Sequence, residues 1–143
     1  MPILTQGPDP LPRKPKLKPP PGACDTHIHL FGPAAKYPFA PDSPYTSRDA
    51  LPETLFAMQD KLGLSTAVIV SPGGYGRNYS MLADVLAKYP NRFRGIALMR
   101  DDTPAVEYAR LTRLGVRGLR MMSTRRGVHV PHLNREVAAR AHD

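Results

Sequence analysis

Segments that fit a buried β-strand alternate with segments that fit a helix along most of this 143-residue chain. Short runs of β-branched and aliphatic residues indicate strands. Proline early in a segment and glycine just beyond it indicate helices. The predicted strands cover residues 23–29, 66–70, 94–99 and 116–121, and the predicted helices cover 52–62, 78–89, 104–114 and about 133–142. Because such alternation produces a parallel sheet with right-handed crossovers, the chain is predicted to be an α/β protein.

The spacing of these units narrows the choice of α/β fold. The four strand–helix units average 30 residues each, and a complete (β/α)8 barrel of about 250 residues uses roughly 31 per unit. The pattern predicts four parallel (βα) units, which is half of a TIM barrel. A small doubly wound sheet is the alternative, although the usual dinucleotide fingerprint is absent after the first strand.

The first 22 residues differ in composition from the rest of the chain. They contain eight prolines and four lysine or arginine side chains. Proline fixes φ and removes a backbone donor, so this segment is predicted to be an extended, mobile arm in solvent. The chain therefore divides into an arm over residues 1–22 and a barrel domain over residues 23–143.

Composition excludes several classes of function. The net charge of +8 is spread along the chain. The sequence lacks the basic stripe with interleaved aromatic residues that is typical of nucleic-acid binding, so no nucleic-acid partner is expected. No apolar run is long enough for a membrane span. The single cysteine and the lack of a secretory leader indicate a cytoplasmic protein. The oligomeric state is left open by the sequence.

Two histidines, His27 and His29, end the first predicted strand in the stretch ACDTHIHLFGP. Side chains alternate along a strand, so Asp25 and both histidines are expected to form one inward row. The histidines lie nearest the C-terminal end of the strand, where barrel active sites are built. Two imidazoles can bind a divalent metal, although a catalytic zinc normally takes three protein ligands. Surface histidines or satisfied core histidines remain the alternative.

Arginines occur at or just beyond the C-terminal ends of the second, third and fourth predicted strands. They are Arg77, Arg100, Arg120 and Arg126. The planar guanidinium group pairs bidentately with a carboxylate, so the pattern favours a small anionic, carboxylated substrate. Surface loops of a basic protein also carry arginines. That alternative is weakest for Arg120, which lies on an apolar strand.

The segment PPPGACDTHIHLFGPAAKYPFAPDSPY resembles the opening of the amidohydrolase-related family, in particular its 2-pyrone-4,6-dicarboxylate lactonase branch. The similarity continues through LFAMQDKLGLSTAVIV, FRGIALM and GVRGLRMMSTRR, and covers about residues 19–126. The resemblance implies an amidohydrolase-type TIM barrel that activates water to hydrolyse a lactone or similar ester. A metal-dependent decarboxylase of the same superfamily and a catalytically inactive remnant are the alternatives.

The resemblance also implies roles for the histidine pair. His27 and His29 match the catalytic strand-one histidines, which hold a divalent metal such as zinc or manganese in most of the superfamily. The pyrone-dicarboxylate branch can work without a divalent ion, so a metal-independent site is equally consistent with the resemblance.

Further positions match substrate-binding residues of that branch. Tyr45 matches a substrate-facing tyrosine, and Arg120 and Arg126 match arginines that grip substrate carboxylates. Arg77 is a further candidate from its place in the chain alone. Gly73 stands where those lactonases place a serine, which leaves the identity of the lactone open.

The family resemblance implies more site residues than this sequence contains. Later strands of such enzymes should bring a further histidine and an aspartate that acts as general base, and no residue after Arg126 supplies that aspartate. We therefore expect the N-terminal half of a longer hydrolase, whose activity as an isolated chain is an open question.

Overall fold

A computed structural model describes residues 1–9, 11–99, 102–121, 124–125, 128–129 and 138–139 of the chain. In chain order its elements are β1 (Ile3–Thr5), β2 (Cys24–Ile28), β3 (Tyr45–Ser47), α1 (Pro52–Leu62), β4 (Thr66–Val70), a 3₁₀ turn (Gly73–Tyr75), α2 (Ser80–Lys88), β5 (Phe93–Leu98), α3 (Ala105–Leu114), β6 (Val116–Arg120), β7 (Thr124–Arg125) and β8 (Val128–His129).

The central sheet has four parallel strands in the order β2-β4-β5-β6. A helix connects each consecutive pair of these strands, namely α1, α2 and α3. This arrangement confirms the predicted parallel (βα) units. It also places the carboxyl ends of all four strands along one edge of the sheet, because neighbouring parallel strands run in the same direction.

Local sequence signals account for the limits of the helices. Helix α1 begins at Pro52, whose missing N–H would have no partner in a first turn. It ends at Gly63, which has a φ of 75° and donates its N–H to the carbonyl oxygen of Gln59. Only glycine adopts this left-handed conformation at little cost, which explains the sharp end of the helix.

The core lies between the sheet and its helices. Leu86 of α2 and Leu111 of α3 are fully buried, and Phe93 of β5 is 1% exposed. The ring of Phe93 stacks on Phe56 of α1 with centroids 5.7 Å apart. Apolar burial of this kind supplies the main stabilising free energy of the fold, so all three helices contribute to holding the sheet in place.

Two segments differ from the sequence expectation. The first 22 residues were expected to lie free in solvent, but β1 pairs in parallel with β3, which lies inside the long loop after β2. A tertiary contact of this kind leaves no local pattern, and three residues are too few for a recognisable alternation. The loop after β6 contains the short antiparallel pair β7–β8. The predicted last helix lies mostly outside the described residues, of which 138–139 are helical.

No helix in the described ranges is both long enough and apolar enough to cross a membrane. The division into an arm and a barrel domain stays a prediction.

Candidate active site

The two histidines of the ACDTHIHLFGP stretch lie side by side at the carboxyl end of β2. The ring centroids of His27 and His29 are 5.1 Å apart and the rings meet edge to face. Asp25, two residues earlier, accepts a hydrogen bond through Oδ1 from the backbone N–H of His27 at 3.2 Å. The side chain of Asp25 therefore stabilises the backbone conformation at the histidine pair.

The end of the neighbouring strand orients His29. The register of β2 against β4 pairs Ile28 with Ile69, so His29 lies beside Val70. Its Nδ1 is 2.7 Å from the carbonyl oxygen of Val70. A carbonyl oxygen can only accept a hydrogen bond, so Nδ1 carries the hydrogen and Nε2 keeps a lone pair.

Burial lowers the pKa of His29 below its usual value of 6.5. The hydrogen bond to Val70 acts in the opposite direction, and electrostatic interactions with Arg120 and with His27 lower the pKa further. Desolvation and like charge both disfavour the imidazolium form. His29 is therefore a neutral hydrogen-bond acceptor at neutral pH.

Arg120 reaches the same edge from β6. Its Nη1 donates to the carbonyl oxygen of Ser71 at 3.0 Å. Because β5 lies between β6 and β4, the side chain of Arg120 crosses a whole strand to make this bond. The consecutive carbonyl groups of Val70 and Ser71 thus hold an imidazole and a guanidinium group at the end of β4, which the sequence alone did not reveal.

Tyr45 belongs to an aromatic cluster, which we define as Phe31, Phe39, Tyr45 and Tyr75. The ring of Phe31 lies 6.2 Å from that of His29 and 6.5 Å from that of Tyr45 between centroids. The Tyr45 hydroxyl accepts the backbone N–H of Gly74 at 3.0 Å. Tyr45 is therefore held at the loop after β4, with Phe31 between it and the histidines.

Within the described residues, no other candidate arginine contacts the histidine pair. Arg77 forms an exposed ion pair with Asp102, which explains its position without a substrate. Arg126 and Arg100 lie outside the described residues. Arg120 is thus the one arginine of the four that, within the described part of the chain, lies close enough to His29 to lower the pKa of its imidazole.

A metal at this place would be held by His27 and His29. Within the described residues no group of three or more His, Cys, Asp or Glu side chains is arranged to bind a metal ion. A catalytic zinc normally takes three protein ligands. The described residues therefore supply two imidazole ligands and fall short of a complete site, and Arg120 adds a positive charge that opposes a cation there.

Comparison with protein families connects this geometry to a known group. The model of the amidohydrolase family matches residues 24–143, which include the histidine pair, the central sheet and Arg120.

The chain belongs to the amidohydrolase family.

Two curated members of the amidohydrolase family show the similarity in detail. A 2-pyrone-4,6-dicarbaxylate hydrolase from Comamonas testosteroni is 36% identical over 115 residues, which are 80% of this chain and 38% of that protein. A 4-sulfomuconolactone hydrolase from Rhizobium radiobacter is 37% identical over 101 residues, 71% of this chain and 34% of that protein. The chain thus spans little more than a third of the length of these curated relatives.

A solved structure confirms the architecture. A protein of Agrobacterium tumefaciens in its apo form superposes with a TM-score of 0.77 at 24% identity, over 90% of this chain and 47% of that one. The described (βα) units are accordingly part of a TIM barrel, as the strand spacing predicted, and the family match agrees with the amidohydrolase type that the resemblance implied.

Proposed function

We propose that this chain takes part in the hydrolysis of a lactone ring in a small carboxylated substrate. The observation that carries the proposal is that a neutral imidazole, His29, and the guanidinium group of Arg120 both lie at the carboxyl end of β4, where the charge of Arg120 lowers the pKa of His29. The relatives named as hydrolases of a pyrone dicarboxylate and of a sulfomuconolactone support the choice of reaction.

Arg120 is proposed to bind a carboxylate of the substrate. Its bond to Ser71 uses Nη1, so other donors of the fork remain to face an anion. A bidentate guanidinium–carboxylate pair would fix both the position and the plane of the acid group. The lactone carbonyl would then be presented to the neighbouring histidines.

His29 is proposed to hold the attacking water through the lone pair on Nε2. In the reaction the water oxygen bonds to the lactone carbonyl carbon, the ring C–O bond breaks, and one of the two protons of the water ends on the departing ring oxygen. A positioned acceptor orients the water and restrains its entropy before attack. Because the pKa of His29 is lowered, the required neutral form persists to lower pH than in a free histidine.

A bound metal would supply Lewis-acid polarisation of the lactone carbonyl. His27 and His29 are the residues that would hold it. We propose that the site works without one, since the charge of Arg120 that lowers the pKa of His29 also opposes a divalent cation. Turnover that survives exhaustive chelation would support this, whereas a strict requirement for zinc or manganese would favour a metal-dependent reaction such as decarboxylation.

The experiment is a direct assay of the purified 143-residue chain. We would measure binding by calorimetry and ring opening by ultraviolet absorbance with 2-pyrone-4,6-dicarboxylate, with 4-sulfomuconolactone and with a sugar-acid lactone. His29→Ala should abolish turnover and Arg120→Lys should weaken binding. The control Arg117→Lys changes an arginine of the same strand whose side chain bonds the carbonyl oxygen of Thr112. A folded chain that neither binds nor opens any of the three lactones would contradict the proposal.

The choice among lactones is a separate part of the proposal. The two relatives are nearly equal in identity, at 36% and 37%, and their substrates differ in carrying a second carboxylate or a sulfonate. Gly73 replaces the serine expected from the pyrone-dicarboxylate branch. A preference for the sulfonated lactone would indicate that this loop accepts the bulkier anion.

A further inference from the structure

Two loops at the carboxyl edge of the sheet are joined by a reciprocal pair of tyrosine–glycine hydrogen bonds. The loop of residues 30–50 follows β2, and the loop of residues 71–77 follows β4. Gly32 of the first loop donates its N–H to the Tyr75 hydroxyl at 2.9 Å. Gly74 of the second loop donates its N–H to the Tyr45 hydroxyl at 3.0 Å. Each loop thus provides one tyrosine and one glycine to the other.

The two tyrosine hydroxyl groups differ in how their own hydrogens are used. Tyr75 is 5% exposed, and its hydroxyl donates to Sδ of Met81 at 3.4 Å while accepting from Gly32. Among the described residues, the Tyr45 hydroxyl accepts from Gly74 and has no acceptor for its own hydrogen. The hydrogen of the Tyr75 hydroxyl is therefore already used inside the protein. The hydroxyl of Tyr45, which is partly exposed, can still donate its hydrogen to an anion.

Ring stacking connects the two hydrogen bonds. The rings of Phe39 and Tyr75 stack with centroids 5.1 Å apart, and Phe39 stacks in turn on Phe31 at 5.9 Å. The Phe39 and Tyr45 rings meet edge to face at 6.3 Å. Tyr75 thus holds Phe39, and Phe39 forms one wall of the space that Tyr45 occupies.

The backbone at Gly74 shows how closely the parts fit. A Cβ atom placed on Gly74 would lie 2.9 Å from Cδ1 of Phe39 and 3.1 Å from Cε2 of Tyr45. The two loops are also joined through Ala40, whose N–H donates a hydrogen bond to the carbonyl oxygen of Gly74 at 2.8 Å. A small movement of either ring would therefore change the distance between Gly74 and the Tyr45 hydroxyl.

We propose that Tyr75 is a positioning residue that holds the loop of residues 30–50 on the loop of residues 71–77, so that the Tyr45 hydroxyl stays on the Gly74 N–H and presents its free hydrogen to an anionic group of the substrate. The role of Tyr45 toward substrate rests on the proposed function. The action of Tyr75 on Tyr45 does not, and it can be measured without any ligand.

The deciding measurement is amide hydrogen exchange by NMR on the 143-residue chain. Tyr75→Phe removes one hydroxyl and keeps the ring. We expect exchange at both Gly32 and Gly74 to speed up by about five- to tenfold, as loss of one ordinary hydrogen bond implies. The rate at the Ala67 amide, which bonds the carbonyl oxygen of Arg92 in the sheet, corrects for any global loss of stability.

A matched control removes a tyrosine hydroxyl elsewhere. Tyr89→Phe deletes a hydroxyl that donates to Glu53 on the helical side of the protein, and it should leave Gly32 and Gly74 unchanged relative to Ala67. Faster exchange at Gly32 alone after Tyr75→Phe would overturn the proposal, because the effect would then stop at the direct partner. Should that variant not fold, Phe39→Leu tests the same connection, and unchanged exchange at Gly74 would be equally decisive.

A second measurement tests whether Tyr75 affects ligand binding through Tyr45. Tyr75→Phe and Tyr45→Phe should each weaken calorimetric binding of 2-pyrone-4,6-dicarboxylate, and the double variant should lose little more than Tyr45→Phe does, since Tyr75 acts through Tyr45. Additive losses would count against the positioning role. If the unaltered chain binds none of the three lactones, the proposed function is contradicted, and the exchange rates still decide the action of Tyr75 on Tyr45.

Discussion

Nδ1 of His29 lies 2.7 Å from the carbonyl oxygen of Val70, across the boundary between two neighbouring strands. The next carbonyl group along the chain, that of Ser71, accepts from Nη1 of Arg120 at 3.0 Å. Two consecutive peptide groups at the end of β4 thus orient the acceptor and the cation of the candidate site. Because the backbone at the end of a buried strand has little conformational freedom, these two carbonyl groups fix the positions of both side chains.

The pH dependence of stability should report the environment of His29. The folded pKa lies below the unfolded value of 6.5, so the unfolded chain binds a proton first as the pH falls. The free energy of unfolding should therefore decrease as the pH is lowered from above 6.5 toward the folded pKa. Urea unfolding between pH 5 and pH 8 checks this on the unaltered chain and on His29→Gln, in which that part of the dependence should disappear. Identical pH profiles for the two proteins would contradict the environment described for His29.

Binding of a carboxylated ligand should require the guanidinium group of Arg120 and not only its positive charge. Arg120→Lys keeps the positive charge but loses the planar fork that bonds Ser71 and pairs with a carboxylate. We expect affinity for 2-pyrone-4,6-dicarboxylate to fall by about ten- to a hundredfold, the range for a hydrogen bond to a charged group. Arg117→Lys should change the affinity little, and equal losses in both variants would indicate a non-specific charge effect.

Gly74 should tolerate no side chain. In Gly74→Ala the new Cβ would meet Phe39 and Tyr45 at 2.9 Å and 3.1 Å, and overpacking of this kind costs about 1–3 kcal/mol of unfolding free energy. Gly7→Ala is the matched control, because its nearest atom is Cβ of Arg48 at 3.3 Å. Chemical denaturation of the two variants measures the difference. A stability change no larger in Gly74→Ala than in Gly7→Ala would refute the close fit.

The contact of α2 with the sheet should dominate the stability of the described units. Leu86 is fully buried, and its Cδ1 lies within 2.9 Å of where a Cβ on Gly95 of β5 would be. Leu86→Ala should lower the free energy of unfolding by about 2–5 kcal/mol. Val106→Ala, at a residue 73% exposed on α3, should stay within about 0.5 kcal/mol of the unaltered chain. Comparable losses from the two substitutions would show that the core lies elsewhere.

Local sequence patterns were sufficient for the secondary structure of the barrel units. The β-branched run over 66–70 became β4, and Pro52 with Gly63 marked the ends of α1 within one residue. The alternation of side chains also predicted that His27 and His29 would face the same way, and their rings lie together. Each of these predictions depends on neighbours a few residues apart, so the sequence carries it directly.

Selection among the candidate side chains required the tertiary structure. Arg77 and Arg120 both lie at or beyond the C-terminal end of a predicted strand, but Arg77 pairs with Asp102 while Arg120 reaches Ser71. The roles of His27, His29, Tyr45, Arg120 and Arg126 toward substrate stay predictions, and Arg126 lies outside the described residues.

The sequence by itself determined the parallel (βα) units and the shared face of the two histidines, because both follow from the period of side chains along a strand or helix. Only the tertiary structure decided which carbonyl groups hold His29 and Arg120, that β1 pairs with β3, and that the hydroxyls of Tyr75 and Tyr45 accept hydrogen bonds from glycines of the opposite loop. These contacts join residues up to about fifty positions apart. They depend on strand register and loop packing, for which a short stretch of sequence has no local signal.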